Sequence, residues 1–165
     1  MIVRPEQPAD ADAIRAVTQA AFAGRHYSSG TEAAIIDALR GAGALTISLV
    51  AEKGGAVVGH IAFSPVSIGG AASAWFGLGP VSAAPEWQGG GVGSALVTEG
   101  LARLRAQGAA GCVLIGDPRY YRRFGFERSA SLTYPGAPAA YFQHIAFADA
   151  RPSGAVAFHP AFDAS

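Results

Sequence analysis

Four glycines lie close together in the middle of the chain, at positions 89, 90, 91 and 93. Residues 78–83 are apolar, and from residue 92 onward apolar residues recur at helical spacing, so the pattern predicts a strand, a glycine turn and a helix. The first N–H groups of a helix have no partner within the helix and lie at the positive end of its dipole. Because glycine has no Cβ, a bulky anion can approach these groups closely. We expect the turn to bind a pyrophosphate.

The turn does not match two common phosphate-binding motifs. No Lys follows the glycines, as a Walker loop requires, and their spacing does not complete the G-x-G-x-x-G of dinucleotide-binding folds. Residues 88–93 read Gln-Gly-Gly-Gly-Val-Gly, which is a Q-x-x-G-x-G pattern. On this segment alone, a flexible glycine turn without a ligand is the alternative.

A second motif lies one helix and one strand further on. Residues 111–116 form a short apolar run typical of a central strand, and Asp-Pro-Arg-Tyr-Tyr-Arg-Arg-Phe-Gly-Phe follows at 117–126. The two motifs together resemble the GNAT family of N-acetyltransferases. The resemblance is closest to its YhbS-type members, which share the Gly-His-Ile-x-Phe-Ser-Pro segment found at 59–65 and the Gly-Pro turn found at 79–80. It covers residues 2–126 closely and the C-terminal forty residues loosely.

The resemblance implies the fold and the co-substrate. It implies a single acetyltransferase domain over residues 1–165, an α/β fold in which helices flank a mixed, mostly antiparallel sheet that is splayed between its fourth and fifth strands. Backbone amides of the turn would hold the pyrophosphate of acetyl-CoA, and the edge of the fourth strand would bind its pantetheine arm. The implied cofactor-binding residues are Val81, Ser82, Ala83, Gln88, Gly89, Gly90, Gly91, Val92, Gly93, Ser94, Asp117 and Tyr121.

Two positions depart from the usual family pattern. Gly90 stands where a Lys or Arg is common, so the backbone amides must do more of the phosphate binding. Asp117 replaces a frequent Asn, although the YhbS-type pattern also has Asp there.

Acetyl transfer from a thioester to an amine by direct attack needs alignment, a polarised carbonyl and proton transfer. A backbone N–H near Val81, at a bulge in the fourth strand, is expected to polarise the carbonyl. By its match to the family motif, Tyr121 is the implied catalytic acid that protonates the departing CoA thiolate, while Tyr120 is expected to be structural. The general base stays open among four candidates, which are Glu32, His60, Glu86 and His26.

Composition limits the function classes. Twelve basic and twelve acidic residues cancel, and no basic patch indicates nucleic acid or an anionic membrane as a partner. Apolar residues reach 50%, and this excess suggests a homodimer interface. The four histidines and the single cysteine, Cys112, show no metal-ligand spacing, so we expect no metal. The N-terminal residues lack an apolar signal segment, and no long apolar stretch follows, which predicts a cytoplasmic protein.

Hydrophobic periodicity predicts the elements that position these motifs. Asp10 is the expected N-cap of a first helix, and Ser29-Gly30-Thr31-Glu32 is the expected capping box of a second. A later helix is predicted at 92–105. Strands are predicted at 2–4, 45–52, 56–64, 66–68, 74–82, 111–116, 127–134, 141–147 and 155–158.

The leading functional hypothesis is an enzyme that moves an acetyl group from acetyl-CoA to the primary amine of a small or amino-acid-like molecule. One alternative changes the acceptor to a protein N-terminus or a lysine. Another is an acyl-CoA-binding sensor without turnover. We expect the helix pair 11–40 and the segment 134–147 to shape the acceptor site.

Overall fold

An antiparallel meander of long strands forms the centre of the computed structural model, which describes residues 1–165. The strands are β1 (Ile2–Pro5), β2 (Ile47–Lys53), β3 (Ala56–Ile68), β4 (Ala71–Ala83), β5 (Gly111–Ile115), β6 (Glu127–Arg128), β7 (Leu132–Thr133), β8 (Phe142–Ala146) and β9 (Gly154–Ala157). The α-helices are α1 (Ala11–Phe22), α2 (Glu32–Gly41), α3 (Val92–Ala106) and α4 (Pro118–Tyr121). None of them combines the length and the apolar character that a membrane crossing requires.

The sheet has the order β1-β2-β3-β4-β5-β8-β6, and β9 pairs with both β3 and β7. Along this path only β4 and β5 are parallel, because α3 carries the chain back between them. Their pairing ends at Gly77 opposite Val113, so residues 78–83 of β4 pair with β3 alone. The mixed sheet and the gap between its fourth and fifth strands are therefore confirmed.

Helices cover both faces of the meander, because alternate residues of each strand point to opposite faces. Leu49 and Phe63 pack with Leu96 of α3 in the largest core cluster. The neighbouring Val50 packs instead with Ile14 of α1.

A bulge interrupts β4 beside the gap. Leu78 and Val81 are three residues apart and pair with Phe63 and Ile61, which are two apart, so β4 carries one extra residue there. The extra residue falls at the Gly79–Pro80 pair, where Gly79 has φ +131°. The expected bulge near Val81 is present.

Asp10 lies at the predicted N-cap position of α1 but makes no capping hydrogen bond, and the predicted capping box of α2 is absent. Asp10 has φ −82° and ψ −11°, which is helical rather than extended backbone, and its carboxylate accepts hydrogen bonds from Arg4 and the N–H of Gln7. Thr31, the N-cap of α2, makes no capping bond through its side chain. The carboxylate of Glu32 accepts from the Ser28 hydroxyl instead, at 2.7 and 2.9 Å.

The strand predicted at 127–134 is broken into β6 and β7. The hydroxyl of Ser129 accepts hydrogen bonds from the N–H groups of Ser131 (3.1 Å) and Leu132 (2.8 Å). This local turn competes with the strand for backbone donors and ends it.

Candidate functional site

The glycine turn between β4 and α3 adopts a backbone shape that requires glycine at several positions. Gly89 and Gly91 have φ of +80° and +85°, and Gly91 is the N-cap of α3. A Cβ on Gly90 would lie 3.0 Å from the carbonyl oxygen of Trp87. The turn therefore holds a fixed conformation rather than that of a flexible linker.

The turn presents a group of unpaired donors. The first bond of α3 runs from the N–H of Ala95 to the carbonyl oxygen of Gly91 (3.0 Å), and the N–H of Gly90 donates to Trp87 (3.0 Å). Five other backbone N–H groups have no acceptor in the protein, those of Gly89, Gly91, Val92, Gly93 and Ser94. Together with the dipole of a 15-residue helix, they form a site suited to an anion.

The start of α3 lies directly on the sheet. A Cβ on Gly59 of β3 would be 2.6 Å from Cγ1 of Val92 and 2.9 Å from the carbonyl oxygen of Ser82. Glycine at 59 thus lets the buried Val92 side chain pack beneath the turn, while its N–H stays free.

Gln88 ties the turn to two other elements. Its Nε2 donates to the carbonyl oxygen of Ala83 at the end of β4 (3.1 Å), and its Oε1 accepts from the Arg25 guanidinium (2.5 Å). Arg25 belongs to the connection between α1 and α2. The Gln88 side chain therefore holds that connection against the turn.

Val81, Ser82 and Ala83 lie on β4 opposite Ile61, His60 and Gly59. On their other side they face the gap toward β5. The Ser82 hydroxyl is buried without a hydrogen-bond partner. The backbone of residues 81–83 is therefore open to the gap on that side.

Tyr121 lies at the end of α4, against the carboxyl end of β5. Its ring packs on Gly116, where a Cβ would be only 2.5 Å away, and edge-on to Phe126 at 6.1 Å. Burial, assisted by Tyr120 and Tyr27, raises its pKa well above the usual value of about 10. The hydroxyl therefore stays protonated at neutral pH.

Tyr120 reaches the glycine turn itself. Its hydroxyl lies 3.2 Å from Oγ of Ser94, and a Cβ on Gly93 would approach it to 3.3 Å. The sequence indicates only a structural role for Tyr120, because the family motif matches its neighbour Tyr121. The structure places Tyr120 at the turn and Tyr121 at the end of β5.

Three cations from distant parts of the chain surround the turn. Arg25 bonds Gln88, Lys53 lies 3.9 Å over the ring of Trp87, and Arg123 lies 4.3 Å over the ring of Tyr120. None of the three is paired with a carboxylate. No local motif in the sequence indicates that these three cations lie near the turn.

Asp117 caps α4. Its carboxylate accepts from the N–H of Arg119 (2.9 Å) and pairs with the Arg119 guanidinium (3.1 Å). The hydrogen bonds from Arg119 lower its pKa. A neighbouring cation thus compensates the negative charge of Asp117, which stands where the family often has the neutral Asn.

Comparison with known proteins decides the family. Residues 3–129 match the family model described as an acetyltransferase (GNAT) domain. The chain belongs to the GNAT family of acetyltransferases. It is 37% identical to YhbS, an uncharacterized N-acetyltransferase of Escherichia coli K12, over 99% of each chain.

Two crystal structures extend this GNAT assignment to three dimensions. One is a GNAT family acetyltransferase from Brucella melitensis in complex with acetyl-CoA, with 56% identity, a TM-score of 0.89 and coverage of 98% of this chain and 97% of that one. The other is E. coli YhbS in complex with CoA, with 37% identity, a TM-score of 0.88 and coverage of 98% and 91%. The predicted family, fold and enzyme class are confirmed.

The four candidate bases of this GNAT enzyme differ in their surroundings. His60 is fully buried with its Nε2 2.8 Å from the Ser48 hydroxyl, and burial lowers its pKa. Glu86 and His26 are exposed. Glu32 is partly buried and lines a cavity of about 460 Å³ between α1 and α2. The other three candidate bases do not line this cavity.

No group of three His, Cys, Asp or Glu side chains in the described chain is placed to hold a metal ion. Cys112 is fully buried in β5, and burial raises the pKa of its thiol. It is therefore unsuited to act as a nucleophile.

Proposed function

We propose that this enzyme transfers the acetyl group of acetyl-CoA to the primary amine of a small molecule by direct attack. The main support for this proposal is the set of five unpaired N–H groups at the start of α3, next to the gap between β4 and β5. The acetyl-CoA and CoA complexes of two similar proteins support it.

In this proposal the amides of Gly89 and of residues 91–94 bind the CoA pyrophosphate. Lys53 and Arg123 stack on Trp87 and Tyr120, which adjoin the turn, and their positive charge would strengthen phosphate binding. The pantetheine arm runs along residues 81–83 of β4, whose backbone faces the gap as an open strand edge.

The chemical step needs no covalent intermediate with the enzyme. The acceptor ammonium first loses one proton to water, and the amine then attacks the thioester carbonyl, whose oxygen the N–H of Val81 polarises. A C–N bond forms, the C–S bond breaks, and the amine nitrogen releases a second proton. The CoA thiolate takes a proton from Tyr121, which regains one from solvent, so the net reaction releases one proton.

Cavity size favours a small acceptor over a protein. The cavity beside α1 and α2 has a volume of about 460 Å³, within the range typical of small-molecule pockets. A sensor without turnover is the other alternative, and it predicts CoA binding with no thiol release.

Tyr121→Phe tests the mechanism. We expect the variant to lower kcat by about 10²-fold, the low end of the usual gain from acid catalysis, while the Kd for CoA stays within about twofold. Thiol release from acetyl-CoA with a panel of amines gives kcat, and calorimetry gives Kd.

Thr133→Val is the matched control, because it removes a hydroxyl from β7, away from the site, and should leave both values unchanged. Equal rates for Tyr121→Phe and the parent would remove Tyr121 from the mechanism. No heat on mixing with CoA would overturn the proposed function as a whole.

A further inference from the structure

The cavity between α1 and α2 is lined by opposite charges that do not pair with each other. Arg25 and Glu32 both border it, and Phe22 and Thr18 form part of its wall on the α1 side. The rest of the lining combines polar side chains such as Gln19 and Ser29 with apolar surface, so an occupant can place both charged and apolar groups there.

Glu32 keeps unused acceptor capacity. Both of its carboxylate oxygens accept from a single hydroxyl, that of Ser28, and no basic side chain pairs with it. A carboxylate has about four lone-pair sites. An ammonium group entering the cavity would therefore find a partly buried, uncompensated negative charge.

Arg25 keeps unused donor capacity. Its one side-chain bond is to Oε1 of Gln88, and a guanidinium has about five N–H donors. A planar guanidinium suits a carboxylate, which it can bind through two parallel bonds.

The cavity wall is also joined to the cofactor site. The Arg25–Gln88–Ala83 series of hydrogen bonds connects the α1–α2 segment to the end of β4. In the same segment Tyr27 packs edge-on to Phe22, with ring centroids 6.4 Å apart. The series of bonds joins the wall of the cavity to the segment of β4 along which the pantetheine arm is proposed to run.

Resting on the proposed acetyl transfer, we propose that the acceptor is a zwitterion of the amino-acid class, with its reacting ammonium at Glu32 and its carboxylate at Arg25. Glu32 and Arg25 are then acceptor-binding residues that set substrate specificity. A peptide lysine or an uncharged amine lacks one of the two charges and fits less well.

The direct test measures binding without turnover. The CoA-bound enzyme is titrated by calorimetry with the twenty standard amino acids and with the matching amino acid amides, which keep the ammonium and lose the carboxylate. We expect at least one amino acid to bind, and its amide to bind at least tenfold more weakly. An equal affinity for acid and amide, or no binding by any amino acid, overturns the proposal.

Substitutions at Glu32 and Arg25 test the contribution of each charge to acceptor binding. Glu32→Gln should weaken binding of the amino acid at least tenfold, and Glu32→Asp, which keeps the charge, should restore part of the loss. Arg25→Gln should weaken binding of the amino acid and leave that of its amide unchanged. Asp163→Asn and Arg128→Gln are the controls, since each removes an exposed charge that is not ion-paired and lies outside the cavity.

Measuring CoA affinity tests the amino-acid acceptor site separately from acetyl transfer itself. The three Glu32 and Arg25 variants are compared with the parent at saturating CoA, whose Kd should stay within about twofold in every variant. A loss of CoA affinity in Arg25→Gln, with amino acid binding unchanged at saturation, would assign Arg25 to the phosphates and overturn its acceptor role. Absence of CoA binding in the parent would overturn the proposed function instead.

Discussion

Thr18 lies on the inner side of α1 with its side chain fully buried and its hydroxyl without a partner in the protein. An unpaired buried hydroxyl costs roughly 1–3 kcal/mol. We expect Thr18→Val, which is nearly isosteric, to raise the free energy of unfolding by about 1 kcal/mol in urea titrations. The same change at the exposed Thr98 of α3 should leave it within about 0.5 kcal/mol. A clear loss of stability in Thr18→Val would mean that the hydroxyl is bound in solution.

Some residues of the site can be predicted from the sequence and others cannot. The glycine turn is predictable because its function lies in backbone amides that are consecutive in sequence. Lys53 and Arg123 are not, because they reach the turn from β2 and from the segment after α4. Their convergence depends on side-chain directions in the folded sheet, which no local pattern encodes.

At the scale of elements, the contact between α3 and β3 fixes where the turn lies. A Cβ on Gly100 of α3 would be 2.3 Å from the ring of Phe63, so the helix lies in close contact with the sheet there. We expect Gly100→Ala to lower the free energy of unfolding by about 1–3 kcal/mol, although alanine is the better helix former by about 1 kcal/mol. Urea titration checks the stability, and calorimetry should show weaker CoA binding because the start of α3 moves.

Glu99→Ala is the control for this prediction. Glu99 pairs with Arg103 on the exposed side of the same helix, and such surface pairs are worth about 0–1 kcal/mol. Unchanged stability in Gly100→Ala would show that α3 can shift without cost, and the close contact would then not position the turn.

The ends of the strands β2 and β3 show when a boundary can be predicted from local sequence. Strands were predicted at 45–52 and 56–64, and the Gly54–Gly55 hairpin joins β2 and β3 between them, with both glycines at positive φ. The strand expected to end at residue 64 instead continues to Ile68, because Pro65 sits opposite Phe76 beside a register shift, where a missing N–H is tolerated. Local propensity marked Pro65 as a boundary, and sheet pairing overrode it.

At the scale of the whole molecule, the loosely matched C-terminal residues join the same sheet as the motifs. β9 pairs with β3 at Ser67 and Ile68, and the ring of Phe158 approaches Gly77 so closely that a Cβ there would lie 2.7 Å away. The sequence signal for these strands is weak because each is short and paired to distant segments. They nevertheless cover the end of β4 where it still pairs with β5.

A polar network ties four parts of the molecule together and should control its acid stability. Glu6, just after β1, bonds Arg40 of α2 (2.9 Å) and the hydroxyl of Ser48 on β2, which also lies 2.8 Å from His60 on β3. Burial alone would raise the pKa of Glu6, but the neighbouring His60, whose Nε2 lies 3.8 Å from the carboxylate, and the hydrogen bonds from Arg40 and Ser48 outweigh it and lower the pKa to about 2. Burial lowers the pKa of His60 as well, so the buried ring is neutral.

Both shifts predict the same direction of pH dependence. A pKa that is lower in the folded state means that the unfolded chain binds protons first, so stability is full above the unfolded pKa and is lost as pH falls. For His60 the loss begins near pH 6.5, and for Glu6 it extends from about pH 4.5 to about pH 2. We expect urea unfolding to show constant stability at pH 7–8, a decline below pH 6.5 and a steeper one below pH 4.5.

Glu6→Gln isolates the carboxylate in that profile. The variant should be less stable than the parent at pH 7 by about 1 kcal/mol, a value reduced for the solvent that still reaches the group. The gap between parent and variant should close as pH falls from 5 to 2, because the parent's Glu6 then becomes neutral too. Asp163→Asn, at an exposed C-terminal carboxylate, should follow the parent throughout. A gap that stays constant with pH would mean that Glu6 stabilises the fold through packing and not through its charge.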